Sequence, residues 1–420
     1  MKPVRVPVVA APPDRLATRR VPQGAPAAGI AQPGAPTFTA LPPLSLYVHF
    51  PWCVKKCPYC DFNSHAMQGE TAIPETRYLD ALVRDLELSL PLVWGRRVHT
   101  VFFGGGTPSL MSAAGFDRLL GDIRARLPLE ADAEITLEAN PGTFEAQRFA
   151  AYRASGANRL SVGIQSFNPR HLAALGRIHD GAEARRAAAI AREVFGNFNL
   201  DLMYALPGQA TADLSADLET ALAFEPPHLS LYHLTLEPNT VFAKYPPTLP
   251  DDDAAADMQQ QVEETLGAAG YEHYETSAYA KRGARAAHNL NYWRFGDYLG
   301  IGAGAHGKLS HPNRVLRSEK PRNPESYMRA CEAALDGAGV GESRATTVAE
   351  LPFEFMMNAL RLTEGFETRL FSERTGLDLS HALRALDGAQ ARGLIERTLT
   401  HTRPTERGRR FLNDLLQMFL

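Results

Sequence analysis

The chain has 420 residues, which is enough for two domains or for one large barrel with an appendage. Hydrophobic residues make up 45% of it, so a sizeable core can form, and a net charge of −3 gives no reason to expect nucleic-acid binding through bulk charge. The sequence predicts no membrane span, because no apolar run approaches the roughly 20 residues that a spanning helix needs. It also predicts no signal peptide. Four cysteines, three of them clustered, indicate a reducing compartment, and we expect the cytoplasm.

Residues 1–40 are rich in Pro, Ala and Gly and carry more Arg than acidic residues. Such a segment cannot bury enough apolar surface to fold alone, and its prolines interrupt any amphipathic helix. The sequence therefore predicts a disordered tail, with a targeting or docking arm as the alternative.

From residue 44 to residue 236, short apolar runs alternate with amphipathic stretches. This alternation is typical of βαβ units and a parallel sheet, and six units in succession favour a partial barrel over a doubly wound sheet. The predicted strands cover residues 44–50, 99–104, 134–139, 159–165, 199–206 and 228–236. The predicted helices between them cover residues 77–90, 113–126, 145–154, 182–194 and 211–223.

Beyond residue 236 the pattern is less regular. It predicts a helix at 251–270, a strand at 271–279 and a Gly-rich loop at 298–307. The C-terminal region predicts helices at 352–361, 370–375, 380–392 and 406–419, with a short strand at 394–400. The fold class is therefore α/β, a partial (β/α)6 TIM-like barrel with a mainly helical, winged-helix-like C-terminal domain. We place the tail at 1–40, the barrel with its extension at 41–315 and the helical domain at 316–420.

Three of the four cysteines, Cys53, Cys57 and Cys60, lie within eight residues, directly after the first predicted strand. A disulfide framework needs an even number of cysteines, and a closed zinc site needs a fourth ligand. The C-x3-C-x2-C spacing suits three irons of a cubane iron–sulfur cluster and leaves the fourth iron open to another ligand. The remaining cysteine, Cys331, is expected to be a buried small hydrophobic residue.

Polar or Gly-rich clusters follow the next predicted strands at their carboxyl ends, where parallel barrels place reactive groups. The glycines at 104–106 let the backbone approach a ligand closely and leave N–H groups free to bind it. Glu138 and Asp201 are carboxylates inside apolar runs, where a charge is costly unless it is paired or serves a site. An ordinary tight turn and structural pairing are the alternatives.

Two further side chains suit a small charged ligand. Arg177 can hold a ligand carboxylate through a bidentate contact, with a solvated surface charge as the alternative. Tyr47 lies on the first predicted strand and shares a face with His49 if that strand is regular, with simple core packing as the alternative.

Together these motifs resemble the radical S-adenosylmethionine (SAM) superfamily, through the cysteine spacing, Tyr59 before the last cysteine and the glycine run. More narrowly, they resemble the oxygen-independent coproporphyrinogen III oxidase group, through the segments 47–53, 104–109, 138–141, 162–167 and 201–207. The resemblance implies a partial (β/α)6 barrel, a [4Fe–4S] cluster on the three cysteines and SAM on the open iron. It implies SAM contacts from Tyr47, Tyr59, Gly106, Thr107, Glu138, Gln165, Arg177 and Asp201.

Two markers separate the branches of this group. Oxidases of the group carry a further cysteine two residues after the third ligand, and Phe62 occupies that position here. Residues 288–293, HNLNYW, match the H-N-x-x-Y-W motif of the HemW branch, whose members are understood as haem chaperones. That resemblance implies haem contacts from His288, Tyr292 and Trp293, because imidazole can ligate iron and aromatic rings can stack on a porphyrin. A structural turn is the alternative.

Three hypotheses follow from these features. The first is a haem chaperone that binds a [4Fe–4S] cluster, SAM and haem and delivers haem to apo-haemoproteins, some of them membrane-associated. The second is an oxygen-independent coproporphyrinogen III oxidase, and the third is an iron–sulfur electron-transfer protein without SAM turnover. The chaperone needs an electron donor for its cluster and no nucleic acid, and the sequence leaves a homodimer, covalent haem binding and SAM cleavage open. If His288 does not ligate haem, His233 and His306 are the next candidates.

Overall fold

The computed structural model describes residues 35–67, 73–143, 146–336 and 339–420. The predicted tail therefore lies almost entirely outside the described residues. Within those ranges the chain forms a larger compact unit, residues 42–309 with 316–344, and a smaller one, residues 345–420 with 35–41 and 310–315. The domain boundaries drawn from the sequence stay predictions. No helix in the described ranges is both long enough and apolar enough to cross a bilayer.

The first half of the larger unit alternates strands with helices, because each apolar strand is followed by a stretch with one apolar face. Local signals fix the helix starts: the Ser112 hydroxyl accepts the Gly115 N–H, and Asp180 and Glu183 form a capping box. In chain order the elements are β1 (Leu44–Phe50), β2 (Trp52–Cys53), β3 (His65–Ala66), α1 (Glu75–Val93), β4 (Val98–Gly105), α2 (Ala113–Arg126), β5 (Leu129–Ala139), α3 (Ala146–Ser155), β6 (Arg159–Gln165), α4 (Pro169–Ala174), α5 (Gly181–Phe195), β7 (Phe198–Tyr204), α6 (Thr211–Ala223) and β8 (His228–His233).

The rest of the chain contains shorter strands and further helices. Following β8 are α7 (Val241–Lys244), α8 (Asp252–Ala268), β9 (Glu272–Glu275), β10 (Ala278–Ala280), α9 (Ala287–Trp293), β11 (Asp297–Ile301), β12 (His306–His311), β13 (Arg314–Glu319), α10 (Pro324–Ala333) and β14 (Glu342–Ala345). The last elements are α11 (Glu350–Ala359), β15 (Phe366–Glu367), α12 (Thr368–Thr375), α13 (Ser380–Ala391), β16 (Ile395–Arg397), β17 (His401–Pro404), α14 (Glu406–Arg410) and α15 (Leu412–Gln417).

Six strands, β1, β4, β5, β6, β7 and β8, lie side by side in sequence order and pair in parallel. Successive crossovers of one hand produce this order when each helix packs on the same outer face. The predicted α/β fold with a partial (β/α)6 barrel is confirmed. β11 extends the parallel row beside β1, and the sheet has twelve strands in the described residues, in the order β14-β13-β12-β11-β1-β4-β5-β6-β7-β8-β10-β9.

The main core lies between the strands and their helices. Phe103 of β4 and Phe116 of α2 are fully buried, and their ring centroids are 4.9 Å apart. Such buried aromatic pairs contribute strongly, since truncating one to Ala typically costs about 3–5 kcal/mol. A rigid core under the strand ends allows the loops above them to hold functional side chains in place.

The smaller unit is mainly helical, as predicted, and also contains a three-stranded antiparallel sheet in the order β15-β17-β16. The ring of Phe355 packs edge-on against Phe366 and Phe371, at centroid distances of 5.0 Å and 5.2 Å. Strands of two to four residues carry too little alternation to be seen in the sequence, so β15 and β17 were missed.

Three predictions of local structure are wrong. The predicted loop at 298–307 contains most of β11 and the start of β12, the predicted strand at 271–279 is the hairpin β9–β10, and the predicted helix at 406–419 is the pair α14 and α15. The prediction of a loop at 298–307 rested on its glycines. A Cβ at Gly300 would lie 2.0 Å from the His306 carbonyl oxygen, so this glycine marks a close approach of two strands.

Candidate functional site

The three clustered cysteines lie in one loop at the carboxyl end of β1. The parallel pair β2–β3 closes this loop, and the Met67 N–H donates to the Cys53 carbonyl oxygen at 2.9 Å. Within the loop, the Cys60 N–H donates to the Cys57 carbonyl oxygen at 3.2 Å and forms a turn. All three cysteines are half-buried and free of disulfide bonds. Local backbone bonds therefore present the three thiols together.

Each thiol has a polar neighbour. The neighbours are Thr107 Oγ1 at 3.5 Å from Cys53 Sγ, Arg177 Nη1 at 3.7 Å from Cys57 Sγ and Ser64 Oγ at 3.7 Å from Cys60 Sγ. Burial raises the pKa of the Cys53 and Cys60 thiols above its ordinary value. Because iron binds thiolates, assembly of a cluster here must release protons.

The three free thiols have the chemistry that an iron–sulfur cluster needs from its ligands. In the described part of the chain, no three His, Cys, Asp or Glu side chains converge closely enough to hold one metal ion. A cubane binds each cysteine to a different iron, so its thiolates surround a cage instead of meeting at a point. Three free thiols with hydroxyl and guanidinium neighbours fit such a cage.

The glycine run ends β4 directly against the start of the cysteine loop. A Cβ at Gly106 would lie 2.5 Å from the Trp52 carbonyl oxygen, so only a glycine fits there without moving the backbone. The Gly105 N–H donates to Glu138 Oε2 at 3.2 Å, and the Gly106 N–H donates to the Phe50 carbonyl oxygen at 2.7 Å. The prediction that these N–H groups are free for a ligand is therefore wrong. The glycines allow two backbone segments to touch.

Glu138 and Asp201 lie on β5 and β7, on either side of β6. Burial and the nearby Asp201 charge raise the pKa of Glu138 to about 8. Burial also raises the pKa of Asp201, against hydrogen bonds from Asn199 Nδ2 at 2.8 Å and Ser161 Oγ at 3.1 Å. Both carboxyl groups are half-buried in the barrel, where they can bind the hydroxyl or amino groups of a ligand.

Arg177 contacts polar groups at the carboxyl ends of β5 and β6. Its Nη2 donates to Asn140 Oδ1 at 2.6 Å and to the Gly163 carbonyl oxygen at 2.7 Å. Its Nε is buried and has no partner in the described residues, so an anionic ligand group would satisfy it. Gln165 has a left-handed φ of 66°, which is strained for a residue with a side chain and aims its amide at Gly163. Asn140, missed as a site residue, orients the arginine.

Tyr47 and His49 share one face of β1, as predicted, and the Tyr47 hydroxyl lies 2.9 Å from His49 Nδ1. His49 Nε2 lies 2.9 Å from the Asn63 carbonyl oxygen, which can only accept, so Nε2 carries the proton and Tyr47 donates to Nδ1. Burial lowers the pKa of His49 to about 4, so the ring is neutral. Asn63 Nδ2 in turn donates to the Ala303 carbonyl oxygen at 2.8 Å. This chain of bonds ties the cysteine loop to the barrel interior.

Two further tyrosines adjoin the site. Tyr59 packs on Phe242 with ring centroids 6.4 Å apart, and burial raises its pKa well above the ordinary value. Tyr232 lies on β8, next to the strand β7 that carries Asp201, and it is 42% exposed. Sequence reasoning missed Tyr232, whose only signal was its position two residues beyond Ser230 on the same face of β8.

The predicted haem residues lie on α9, at the opposite end of the barrel from the cysteines. His288 is buried; its Nδ1 lies 2.7 Å from Thr100 Oγ1, and its Nε2 lies 3.0 Å from the Tyr292 hydroxyl. The backbone N–H of His288 donates to Glu134 Oε1 at 3.0 Å, and burial lowers the pKa of the imidazole ring to about 3. His288 is thus a structural part of the barrel floor. Haem contact by His288, Tyr292 and Trp293 stays a prediction that requires α9 to move.

The remaining predicted residues are widely separated. Cys331 is 1% exposed, which confirms a buried small hydrophobic residue. Phe62 is 62% exposed at the end of the cysteine loop. His233 ends β8 and its ring lies 5.5 Å from the Tyr204 ring, while His306 begins β12 and lies 3.9 Å from Glu319.

Comparison with known proteins identifies the family. The Radical SAM superfamily model matches residues 47–221, and the HemN C-terminal domain model matches residues 347–411. The chain is 51% identical over 382 residues to heme chaperone HemW of Escherichia coli, covering 90% of this chain and 99% of that protein. The chain belongs to the HemW family of the radical SAM superfamily. Another HemW, from Haemophilus influenzae, is 48% identical over 387 residues, covering 90% of this chain and 98% of that protein.

Among solved structures, coproporphyrinogen III oxidase (HemN) from Escherichia coli is similar with a TM-score of 0.75 and 24% identity over 90% of both chains. At this identity the similarity concerns the fold alone. Membership of the HemW family within the radical SAM superfamily implies a [4Fe–4S] cluster and SAM as cofactors. Free thiols fit the cluster, and the buried Arg177 Nε, which has no partner in the described residues, fits the carboxylate of SAM. The individual SAM contacts stay predictions.

Proposed function

We propose that this protein is a haem chaperone that binds a [4Fe–4S] cluster, SAM and haem and delivers haem to apo-haemoproteins in the cytoplasm. The observation that carries the proposal is the 51% identity to HemW of Escherichia coli over nearly the full length of that protein. The position where oxidases of the wider group place an extra cysteine also supports it, because Phe62 occupies that position with an exposed ring.

In this proposal Cys53, Cys57 and Cys60 bind three irons of the cluster and leave one iron for SAM. The bound cluster supplies one-electron chemistry. Thr107 and Arg177 lie beside the Cys53 and Cys57 sulfurs, and hydrogen bonds to cluster sulfurs make a cluster easier to reduce. These two side chains thus set the potential at which a cellular electron donor must work.

The groups around the barrel interior hold SAM in this proposal. Arg177 binds the carboxylate through the Nε that has no partner in the described residues, while Asn140 and Gly163 fix the guanidinium plane. Glu138, with its pKa raised to about 8, holds a proton at pH 7 in the absence of ligand and can donate to a hydroxyl oxygen. Asp201, Gln165, Tyr47 and Tyr59 complete the proposed contacts. Gly106 and Thr107 act through close approach, since their N–H groups bond the Phe50 and Trp52 carbonyl oxygens.

One anaerobic preparation tests the function. The protein is reconstituted with cluster, supplied with SAM and assayed in parallel for haem binding, haem transfer to an apo-haemoprotein and loss of coproporphyrinogen III. We expect haem to bind and transfer while coproporphyrinogen III is untouched. The Cys60→Ser variant serves as a control without an intact cluster.

Each other outcome selects a different hypothesis. Robust decarboxylation of coproporphyrinogen III would establish the oxidase instead. Failure to bind haem, with and without the cluster, would refute the chaperone. A cluster spectrum that does not respond to SAM would favour an electron-transfer protein. Gel filtration with light scattering, and vesicle co-sedimentation of an acceptor complex, address the homodimer and the membrane-associated acceptor.

A further inference from the structure

Exposed apolar side chains surround the cysteine loop at the carboxyl end of the barrel. The rim patch consists of Val54, Phe62, Ile178, Val241 and Tyr245, which are 44%, 62%, 47%, 57% and 66% exposed. These are five of the nine large hydrophobic side chains that are exposed in the described part of the larger unit. Single exposed hydrophobic residues are ordinary, but a group around one loop marks a binding surface.

Direct contacts join the three segments that carry the rim patch. The Phe242 N–H donates to the Pro58 carbonyl oxygen at 3.0 Å, and a Cβ at Gly176 would lie 2.8 Å from the Pro58 ring. Lys56 Nζ donates to the Phe62 carbonyl oxygen at 3.0 Å, which folds the cysteine loop back on itself. Pro58 is therefore the point where the cysteine loop, the turn after α4 and α7 meet.

The same segments bury a second set of side chains beneath this surface. Tyr59, Leu175 and Phe242 pack with Met203, Leu206 and Leu234 from the ends of β7 and β8 in a small core of their own. The inward-facing side chains thus have packing partners, while those of the rim patch face solvent. Because this small core already orders the surface, binding of a ligand would cost little conformational entropy.

Positive charge borders the patch. Lys55 and Lys56 are exposed beside Val54, and Lys244 Nζ lies 5.2 Å from the centre of the Tyr245 ring. Asp61 is the acidic residue in the same loop. An apolar platform with aromatic rings and several ammonium groups complements a flat apolar molecule that carries carboxylates.

We propose that the rim patch is the surface that holds haem, with Phe62 and Tyr245 against the porphyrin and Lys55, Lys56 and Lys244 pairing with its two propionates. This inference rests on the proposed haem chaperone function and names the site. It places haem beside the cluster loop and not at α9, where His288 has both ring nitrogens engaged inside the barrel floor.

Haem titration of the full-length, cluster-loaded protein tests the site. Phe62→Ser and Tyr245→Ser, on two different segments, should each weaken haem binding about tenfold, because each removes a large apolar contact. Lys244→Glu should weaken binding of haem but not of its dimethyl ester, which lacks free carboxylates. Matched controls are Trp94→Ser, a change at a side chain 83% exposed after α1, and Arg186→Glu on α5. Iron content and SAM binding should stay at wild-type values in all five variants.

The outcomes separate the site from the function. Wild-type protein that binds no haem overturns the chaperone and the rim patch together. Wild-type binding that Phe62→Ser and Tyr245→Ser leave unchanged overturns the rim patch alone. Equal weakening by Trp94→Ser means unspecific partitioning of haem and overturns it as well. Normal haem binding with lost transfer assigns the surface to an acceptor protein, which also overturns the haem site.

Discussion

We expect the replacement of Glu138 by Gln to make the ligand-free protein more stable at neutral and alkaline pH. The carboxyl group lies in the barrel, where burial and the nearby Asp201 charge raise its pKa from the ordinary 4.5 to about 8. Its structural contact is the hydrogen bond accepted from the Gly105 N–H at 3.2 Å, which the amide oxygen of Gln can also accept. The substitution therefore removes the titration and keeps the bond.

The sign and the size follow from proton linkage. An acid with a raised pKa holds its proton in the folded state and loses it on unfolding, so stability is complete below about pH 4.5 and falls until about pH 8. At pH 7 the loss in the wild-type free energy of unfolding corresponds to about 2.5 pH units at about 1.36 kcal/mol each, or roughly 3 kcal/mol. Because the Glu138 side chain is only half-buried, solvent screening reduces this to about 2 kcal/mol. The Glu138→Gln variant has no carboxyl group to titrate at this position, so it lacks this destabilisation.

Urea unfolding of the reduced, cluster-free protein at pH 5, 7 and 8.5 measures the effect. Tryptophan fluorescence reports on the larger unit, which contains all three tryptophans, Trp52, Trp94 and Trp293. We expect Glu138→Gln to match wild type near pH 5 and to exceed it by about 2 kcal/mol or more at pH 8.5. The control, Glu219→Gln, changes an exposed carboxylate on α6. A constant difference between Glu138→Gln and wild type across the pH range would refute the reasoning.

Three further substitutions test other parts of the site. Gly106→Ala puts a Cβ 2.5 Å from the Trp52 carbonyl oxygen and should at least halve the amount of iron bound on reconstitution. The control Gly121→Ala adds a Cβ in open space on α2 and should leave the iron content unchanged. Equal iron content in both variants would contradict the close approach. Arg177→Lys cannot keep two parallel hydrogen bonds and should weaken SAM binding in equilibrium dialysis by about tenfold; unchanged affinity would place the ligand carboxylate elsewhere. His288→Ala leaves the hydroxyl groups of Thr100 and Tyr292 without their imidazole partner and should lower the free energy of unfolding by about 2–4 kcal/mol without changing haem affinity. A selective loss of haem affinity would instead identify His288 as a haem ligand.

The barrel could be predicted because its signals are local and repeated. The alternation of strands and helices from residue 44 to residue 236 needs no knowledge of long-range contacts, and strand ends in a parallel barrel meet by geometry. The three cysteines could be predicted to share one site from their spacing alone, since they lie on one loop. Several strands after residue 236, such as β11, β12 and β17, were not predicted because they are short or pair with partners far along the chain, as β11 does with β1.

Hydrogen-bond partners could not be predicted in the same way. Glycine spacing shows where backbones come close, but not that the Gly105 N–H is already bonded to Glu138. The role of His288 depends on Thr100 and Glu134, which are more than 150 residues away in the sequence. Asn140 was visible in the 138–141 segment, yet its use as the orienter of Arg177 appears only when β5 and β6 are side by side. Motifs indicate which residues matter, and packing decides what they do.

The floor formed by α9 has a consequence for the order of events. His288, bonded to Thr100 and Tyr292, occupies the amino end of the barrel, so in our proposal both ligands enter at the carboxyl end, beside the cysteine loop. A haem molecule on the rim patch would lie over the same opening that SAM uses. SAM must then arrive before haem, and a haem-loaded protein should exchange its SAM more slowly than an unloaded one. In this proposal the packing of α9 therefore makes the two ligands bind in a fixed order, with SAM first and haem second.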